Sequence, residues 1–329
     1  MKMPITGKFN LFLAYMRLVR IQNLIIIALT QVLMRYAVVE PLLNYYGFKL
    51  QLPLHIFLMV MMATVMLTAA GYVINDYFDT RTDILNRPSR VVVDTRIHRR
   101  KAMILHVILN LTGIGLGIYV SFHVGLPALS FIFLLVTGIL WFYSTSYKRQ
   151  FLIGNLIVAI LTALVPFMVI LFEIPALNEY YSLVLKDDIV NFKYIIIWVG
   201  GFSIFAFLLT LAREIVKDIE DFEGDKAYGR DTLPIVLGVF TTKIVLLLLC
   251  LVVITLIYYT VFFYINDIIT WIYASLAIVL PLIFTMAILI RARKQKHYHL
   301  ISQMLKIVML TGIFYSFLID YLIDKFKGI

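Results

Sequence analysis

With a single cysteine, Cys250, set inside the apolar run 244–263, the 329-residue chain has no material for a disulfide framework or a cysteine metal site. Charge is scarce as well: Asp, Glu, Lys and Arg make up 15% of the residues against 62% hydrophobic, with a mean hydropathy of +0.94. An ordinary soluble domain carries about 25% charged and about 45–50% apolar residues, so a water-soluble globule of this size is excluded. The short alternating segments of roughly ten residues that mark a transmembrane β-barrel are missing too. No small-residue cleavage site follows the opening MKMPITGKFNLFLAYMR, and the first apolar block is expected to stay as a span. The six histidines show no close ligand spacing apart from His297 and His299 in a basic loop, and read as interfacial or packing residues.

What the chain does have is long unbroken apolar blocks. About 20 such residues cross a bilayer core as a helix. On that rule spans are expected near 18–38, 54–74, 102–122, 126–143, 151–172, 194–213, 243–264, 270–290 and 306–323. The fold class is therefore all-α, a multispan bundle of nine transmembrane helices, and residues 1–329 read as a single integral-membrane domain. Connections as short as 123–125 and 265–269 imply antiparallel neighbours. Of the 29 basic residues, 23 fall at the N-terminus and in the loops after spans two, four, six and eight. The positive-inside rule then makes the N-terminus cytoplasmic, and an odd number of spans puts the C-terminus outside the cell membrane. The net charge of +10 is accounted for in the same way, by loops facing anionic lipid rather than nucleic acid. Nothing in the pattern sets an oligomeric state.

Acidic residues cluster where chemistry should be sought: 11 of the 19 Asp and Glu lie in the stretches 75–94 and 214–231, which follow spans two and six. If the helix of span two continues, Asn75, Asp79 and Asp83 recur every four residues on one face, with Asp76 beside them. Glu214, Asp218, Asp221 and Asp225 recur at offsets of four, three and four and form a second stripe. Like charges at such spacing destabilise an isolated helix and resist desolvation near a membrane, so each stripe calls for a compensating cation. Oxygen donors of this kind suit Mg²⁺, which commonly bridges a few carboxylates to substrate phosphates. Basic residues flank the acids: Arg81, Arg87 and Arg90 after the first stripe, Lys217 and Arg230 within the second, and Lys148 and Arg149 in the loop after span four. Arg and Lys side chains are the usual partners of phosphate oxygens. Each of these cations is also what lipid-facing topology alone would supply, and an acidic helix end paired with its own lysines, such as Lys217 with Asp221, is the bland alternative for a lone stripe.

At this point a resemblance becomes specific. Asn75-Asp76-x-x-Asp79-x-x-x-Asp83 followed by Asn86-Arg87-Pro88 resembles the first signature of the UbiA superfamily of intramembrane prenyltransferases. Asp218-x-x-Asp221-x-x-x-Asp225 with Gly229 resembles its second, and Tyr143-Ser144, Lys148 and Gly154-Asn155 resemble the motif between them. The stretch REIVKDIEDFEGDKAYGRDTLPIVLG is similar to archaeal-type members that geranylgeranylate geranylgeranylglycerol phosphate. Two places depart from the common pattern: Arg90-Val-Val-Val-Asp94-Thr95 after the first signature, and Ile21 after Arg20, where proline is frequent. The resemblance implies a helical bundle around a central cavity, Mg²⁺ dependence, an isoprenyl diphosphate donor, geranylgeranyl diphosphate for such members, and diphosphate as the leaving product.

On that basis Asn75, Asp79, Asp83, Asp221 and Asp225 are the expected metal ligands. Arg20, Arg87, Tyr143, Lys148 and Arg149 are expected to bind the diphosphate. Asp76 and Asp218 are the expected catalytic carboxylates, one of which would take the proton of an acceptor hydroxyl. The acceptor is expected to be a lipid-like glycerol phosphate, with an aromatic quinone or haem precursor as the alternative. An ion-coupled transporter would also carry intramembrane acids, but near the bilayer midplane rather than at span ends. The glycine-spaced Asp-Gly-x-x-Ala-Arg signature of CDP-alcohol phosphotransferases is missing.

Overall fold

Lipid offers no hydrogen bonds to a backbone, so long apolar segments satisfy their amides only within helices. A computed structural model of the chain, describing residues 8–86, 91–184 and 191–327, follows this constraint throughout. In chain order its helices are α1 (Lys8–Leu18), α2 (Ile21–Tyr45), α3 (Leu54–Asn86), α4 (Arg99–His123), α5 (Pro127–Thr145), α6 (Ile153–Val184), α7 (Lys193–Glu220), α8 (Phe222–Ala227), α9 (Leu233–Leu237), α10 (Val239–Ile265), α11 (Ile268–Arg291) and α12 (Gln295–Lys327). Among the described residues nine of these, α2 to α7 and α10 to α12, are long and apolar enough to cross a membrane. They fall in the expected order. The first begins at Ile21 rather than near residue 18, because Arg20 takes a left-handed φ of 52° and breaks the helix there.

The chain divides into two compact units. The first comprises Met1–Val32, Leu50–Lys148 and Met168–Phe192. Here α3 packs along α4 and α5, and small residues set how closely. A Cβ on Gly117 of α4 would stand 2.3 Å from the Phe133 ring of α5, and one on Gly113 would stand 2.8 Å from Leu67 of α3. Phe133 is fully buried and its ring meets that of Phe172 at 5.9 Å. The loop 91–97, which departs from the family pattern, is an apolar plug. Val92, Val93 and Ile97 are buried with Ala14 and Leu18 of α1 and Val73 of α3. At the far end of α3, the buried Glu173 accepts hydrogen bonds from the amides of Gln51 (2.7 Å) and Leu52 (3.0 Å), just before the helix begins.

The second unit comprises Leu33–Lys49, Arg149–Phe167 and Lys193–Ile329. Its core joins α7, α10, α11 and α12 through residues such as Leu209, Ile215, Val253, Leu282 and Leu305. Polar ties fix the ends. Lys243 Nζ (2.5 Å) and Tyr298 Oη (3.2 Å) both donate to the Ala292 carbonyl just after α11. Gln295 donates to the Glu220 carbonyl at 3.0 Å, and His299 Nδ1 lies 3.0 Å from Glu220 Oε1, so the start of α12 holds the last residue of α7.

Replacing Gly117 by Ala forces Phe133 out of its position. An overpacking cost of about 1–3 kcal/mol is expected, read as a lower thermal unfolding midpoint of the detergent-solubilised protein, and an unchanged midpoint would show that Phe133 moves without cost.

Candidate active site

The apolar part of α3 ends before its helix does. The backbone runs unbroken to Asn86, so the first stripe stays helical as the spacing predicts. Lys148, three residues past the end of α5, proves the shared face directly. Its Nζ lies 2.9 Å from Asp79 Oδ1 and donates to Asn75 Oδ1 at 3.3 Å, one helical turn away. The pair is enclosed, with side-chain exposures of 6% for Lys148 and 11% for Asp79. Asp76 looks to a different partner. Arg20 Nη2 donates to its Oδ1 at 2.8 Å, and the Arg20 guanidinium lies over the Tyr72 ring at 4.7 Å. The left-handed backbone at Arg20 and the stacking on Tyr72 together aim the guanidinium at α3. Asn23 in turn donates to Tyr72 Oη at 3.3 Å.

The second stripe is not one continuous helix. α7 ends at Glu220, Asp221 leaves helical geometry with φ −96° and ψ 10°, and α8 restarts at Phe222. The four-residue repeat survives the break, because the Asp225 amide still donates to the Asp221 carbonyl at 3.0 Å. Gly229, with a φ of +63° that suits glycine, then turns the chain so that Arg230 folds back. Arg230 Nη1 donates to Asp225 Oδ1 at 3.1 Å, and its own amide donates to the Asp225 carbonyl at 3.0 Å. Asp225 is the most enclosed acid of this stripe, its side chain 4% exposed. Asp218 accepts a 2.7 Å hydrogen bond from Asn155 Nδ2 of α6. The Asp231 amide donates to the Arg149 carbonyl at 2.9 Å, tying the loop after α8 to the segment that enters α6.

The expected residues thus fall into local groups. Within the first unit, Arg20, Asn75, Asp76, Asp79 and Lys148 are linked pairwise at the polar end of α3. Asp83 is half-buried on the last turns of the same helix, and Tyr143 is half-buried near the end of α5. Within the second unit, Asp218, Asp221 and Asp225 line the junction of α7 and α8. Arg149 is exposed, and Arg87 lies outside the described residues. Asn155 and Arg230 hold two of the acids although neither was among the expected site residues. Their signals in sequence are the Gly154-Asn155 part of the middle motif and, for Arg230, its place within the second stripe just beyond Gly229.

Among the described residues no three acidic, histidine or cysteine side chains converge to hold a metal ion. Instead a charged or amide nitrogen meets four of the stripe acids: Lys148 at Asp79, Arg230 at Asp225, Arg20 at Asp76 and Asn155 at Asp218. Carboxylates and cations therefore stand side by side at the polar ends of apolar helices. That arrangement is suited to exchanging carboxylate–cation pairs for carboxylate–metal and cation–phosphate pairs.

The UbiA prenyltransferase family model matches residues 45–310. The digeranylgeranylglyceryl phosphate synthase of Methanosphaera stadtmanae is 34% identical over 256 residues, covering 76% of this chain and 82% of that protein. Two solved structures share the fold. One, of digeranylgeranylglyceryl phosphate synthase in membranes, has a TM-score of 0.59 at 24% identity and covers 93% of this chain and 99% of its own. The other, a UbiA homologue from Archaeoglobus fulgidus bound to DMAPP and Mg²⁺, has a TM-score of 0.55 at 19% identity with the same coverage. With the signatures in family order, the helices where they were expected and a family match over most of its length, the chain belongs to the UbiA prenyltransferase family.

Proposed function

We propose that this prenyltransferase moves a geranylgeranyl group from geranylgeranyl diphosphate to a hydroxyl of a geranylgeranylglycerol-phosphate-like lipid and releases diphosphate. The observation that carries the reading is the enclosed pairing of Asp79 with Lys148 and of Asp225 with Arg230, an acid for metal beside a base for phosphate at each polar helix end. The acceptor is supported by the second-stripe sequence and by the names of the similar proteins.

Mg²⁺ fits the residues present. The candidate ligands are all oxygen donors, and an ion that keeps several waters and takes one or two carboxylates plus substrate phosphates needs no ready-made three-acid cage. The candidate ligands are Asn75, Asp79 and Asp83 on the first stripe and Asp221 and Asp225 on the second, and Mg²⁺ when bound would neutralise charge building on the leaving diphosphate. Lys148, Arg20, Arg87, Arg149 and the Tyr143 hydroxyl would grip diphosphate oxygens. In the transfer the donor C1–O bond breaks with its electron pair going to diphosphate, the acceptor oxygen bonds to C1, and the hydroxyl proton passes to a carboxylate, Asp76 or Asp218. Asn155 orients Asp218 and Arg20 orients Asp76 for that task.

The chain would act as one integral-membrane domain of the cell membrane. Its excess of Lys and Arg beside both stripes supports a cytoplasmic N-terminus and active-site loops, with the C-terminus outside.

Asp79→Ala and Asp225→Ala should each lower geranylgeranyl transfer about 100-fold or more while the protein still inserts and purifies. Normal turnover in either variant, assayed with Mg²⁺, geranylgeranyl diphosphate and the glycerol-phosphate lipid, would falsify the metal assignment. Chelating divalent metal should stop product formation and added Mg²⁺ should restore it; turnover that persists under chelation contradicts metal dependence. Lys148→Gln is expected to raise the KM for donor far more than that for acceptor, and the reverse split would move Lys148 out of the diphosphate site.

A further inference from the structure

Two buried polar side chains take no part in the chemistry assigned above. His106 and Asn110 lie one turn apart on α4, within the first unit. His106 Nδ1 is 3.0 Å from the Ala70 carbonyl of α3, and Asn110 Nδ2 lies 3.0 Å from His106 Nε2 and 3.3 Å from Nδ1. A carbonyl oxygen only accepts, so Nδ1 carries the hydrogen, which leaves Nε2 to receive the amide donor. Both ring nitrogens are thus engaged without a second ring proton.

The same ring reaches a third helix. Its centroid is 5.8 Å from that of Trp141 on α5, and Trp141 in turn meets Phe78 of α3 edge-on at 5.9 Å. His106 therefore holds α3 by its backbone and α5 by an aromatic contact. Those two helices carry the two halves of the pair read above as the donor site. Asn75 and Asp79 lie five and nine residues beyond Ala70, roughly 7–8 Å and 13–14 Å along the helix axis. Asp79 directly follows Phe78, and Lys148 follows Trp141 by seven residues. Apolar packing at Gly71 and Gly113 sets how closely α5 and α4 approach α3, but it has little direction. Burying an imidazole costs free energy that an apolar side chain would not, and what the polar ring adds is a bond to one particular carbonyl. Such a bond fixes the rotation and axial register of α3 against α4 and α5.

We propose that His106 is a positioning residue for the donor site: by fixing α3 against α5 it holds Asn75 and Asp79 within reach of Lys148, and Asn110 keeps the ring in the tautomer that does so. This inference rests on the reading of Asp79 and Lys148 as donor-site residues and is independent of the acceptor.

The test compares two substitutions at His106 in nanodiscs. His106→Phe keeps a flat ring beside Trp141 but cannot bond Ala70, whereas His106→Gln retains an N–H for that carbonyl. His106→Phe should lose roughly 10- to 100-fold in kcat/KM for geranylgeranyl diphosphate, as expected when reacting groups are displaced by about 1 Å. It should need more Mg²⁺ for half-maximal rate, with the KM for the glycerol-phosphate lipid unmoved, and His106→Gln should recover most of the loss. Asn110→Leu should shift donor kinetics the same way by a smaller factor. Wild-type donor kinetics in His106→Phe, whatever its thermal midpoint, overturn the proposal, and so do equal rises in both KM values or a His106→Gln no better than His106→Phe. If His106→Phe does not insert, Asn110→Leu decides, and wild-type donor kinetics there overturn the proposal. Independently of turnover, the ¹⁵N spectrum of histidine-labelled protein, with the His106 signals identified by their loss in His106→Gln, should show the hydrogen on Nδ1; a hydrogen on Nε2 alone overturns the bond to Ala70. Normal turnover in Asp79→Ala with an unmoved donor KM in Lys148→Gln defeats the donor-site reading itself, and this proposal with it. Losses in those two variants beside an unaffected His106→Phe defeat the positioning role alone.

Discussion

A carboxylate at the end of an apolar span is the constraint on which the site depends. Taking an ion out of water costs several kcal/mol even after relaxation, so it persists only with a partner. Asp76, Asp79, Asp218 and Asp225 each have one, and each partner lies outside the acid's own helix: Arg20 at the break before α2, Lys148 after α5, Asn155 on α6 and Arg230 beyond the Gly229 turn. The pairs therefore do two things at once. They keep the charges tolerable before substrate arrives, and they fix the rotation of α3 and α7 relative to the neighbouring segments of their own units. Carboxylates that would hold Mg²⁺ and cations that would meet diphosphate oxygens are thus already beside one another.

The apolar frame meets the second requirement, that the polar ends stay in register. Between lipid-soaked helices there is little hydrophobic drive, and close packing of small residues takes its place. Gly113 and Gly117 let α4 approach Leu67 and Phe133, and Gly71 of α3 sits against Leu140 of α5 in the same way. The unit built on α7 relies more on polar ties at helix ends. Glu220 is held by both Gln295 and His299, one residue before the backbone break at Asp221. The break thus sits beside a clamped residue, and the metal-ligand candidates beyond it are placed by a short helix rather than by a fraying end.

How much of this is written locally follows from the range of each interaction. Span positions were legible because bilayer thickness sets helix length, and both acid stripes were legible because helical spacing is a local property. The start of α2 was not, since nothing in the composition of Val19-Arg20-Ile21 announces a left-handed arginine. Nor was the break at Asp221, since the spacing of the acids is compatible with an uninterrupted helix. The pairings of Lys148 with Asp79 and Asn155 with Asp218 join residues more than 60 positions apart, beyond the reach of any periodicity. The plug formed by Val92, Val93 and Ile97 is a case of its own: a departure from the family pattern reads as an anomaly in sequence and as core packing in three dimensions.

Sequence also fails to separate two kinds of basic residue that the membrane requires together. Cations that orient the protein need only water and lipid headgroups, whereas cations that serve chemistry must surrender solvent to hold an anion. Lys148 and Arg149 are neighbours of the same sign in one loop, yet the lysine side chain is 6% exposed and paired with an acid while the arginine is exposed. Positive-inside bias accounts for both equally well before folding and for only the second after it, because topology gives no reason to spend desolvation energy on an ammonium group. Burial with a partner is thus the criterion that divides the basic residues of such a chain. By that measure Lys148 and Arg230, each enclosed against an acid, stand apart from the exposed Arg149.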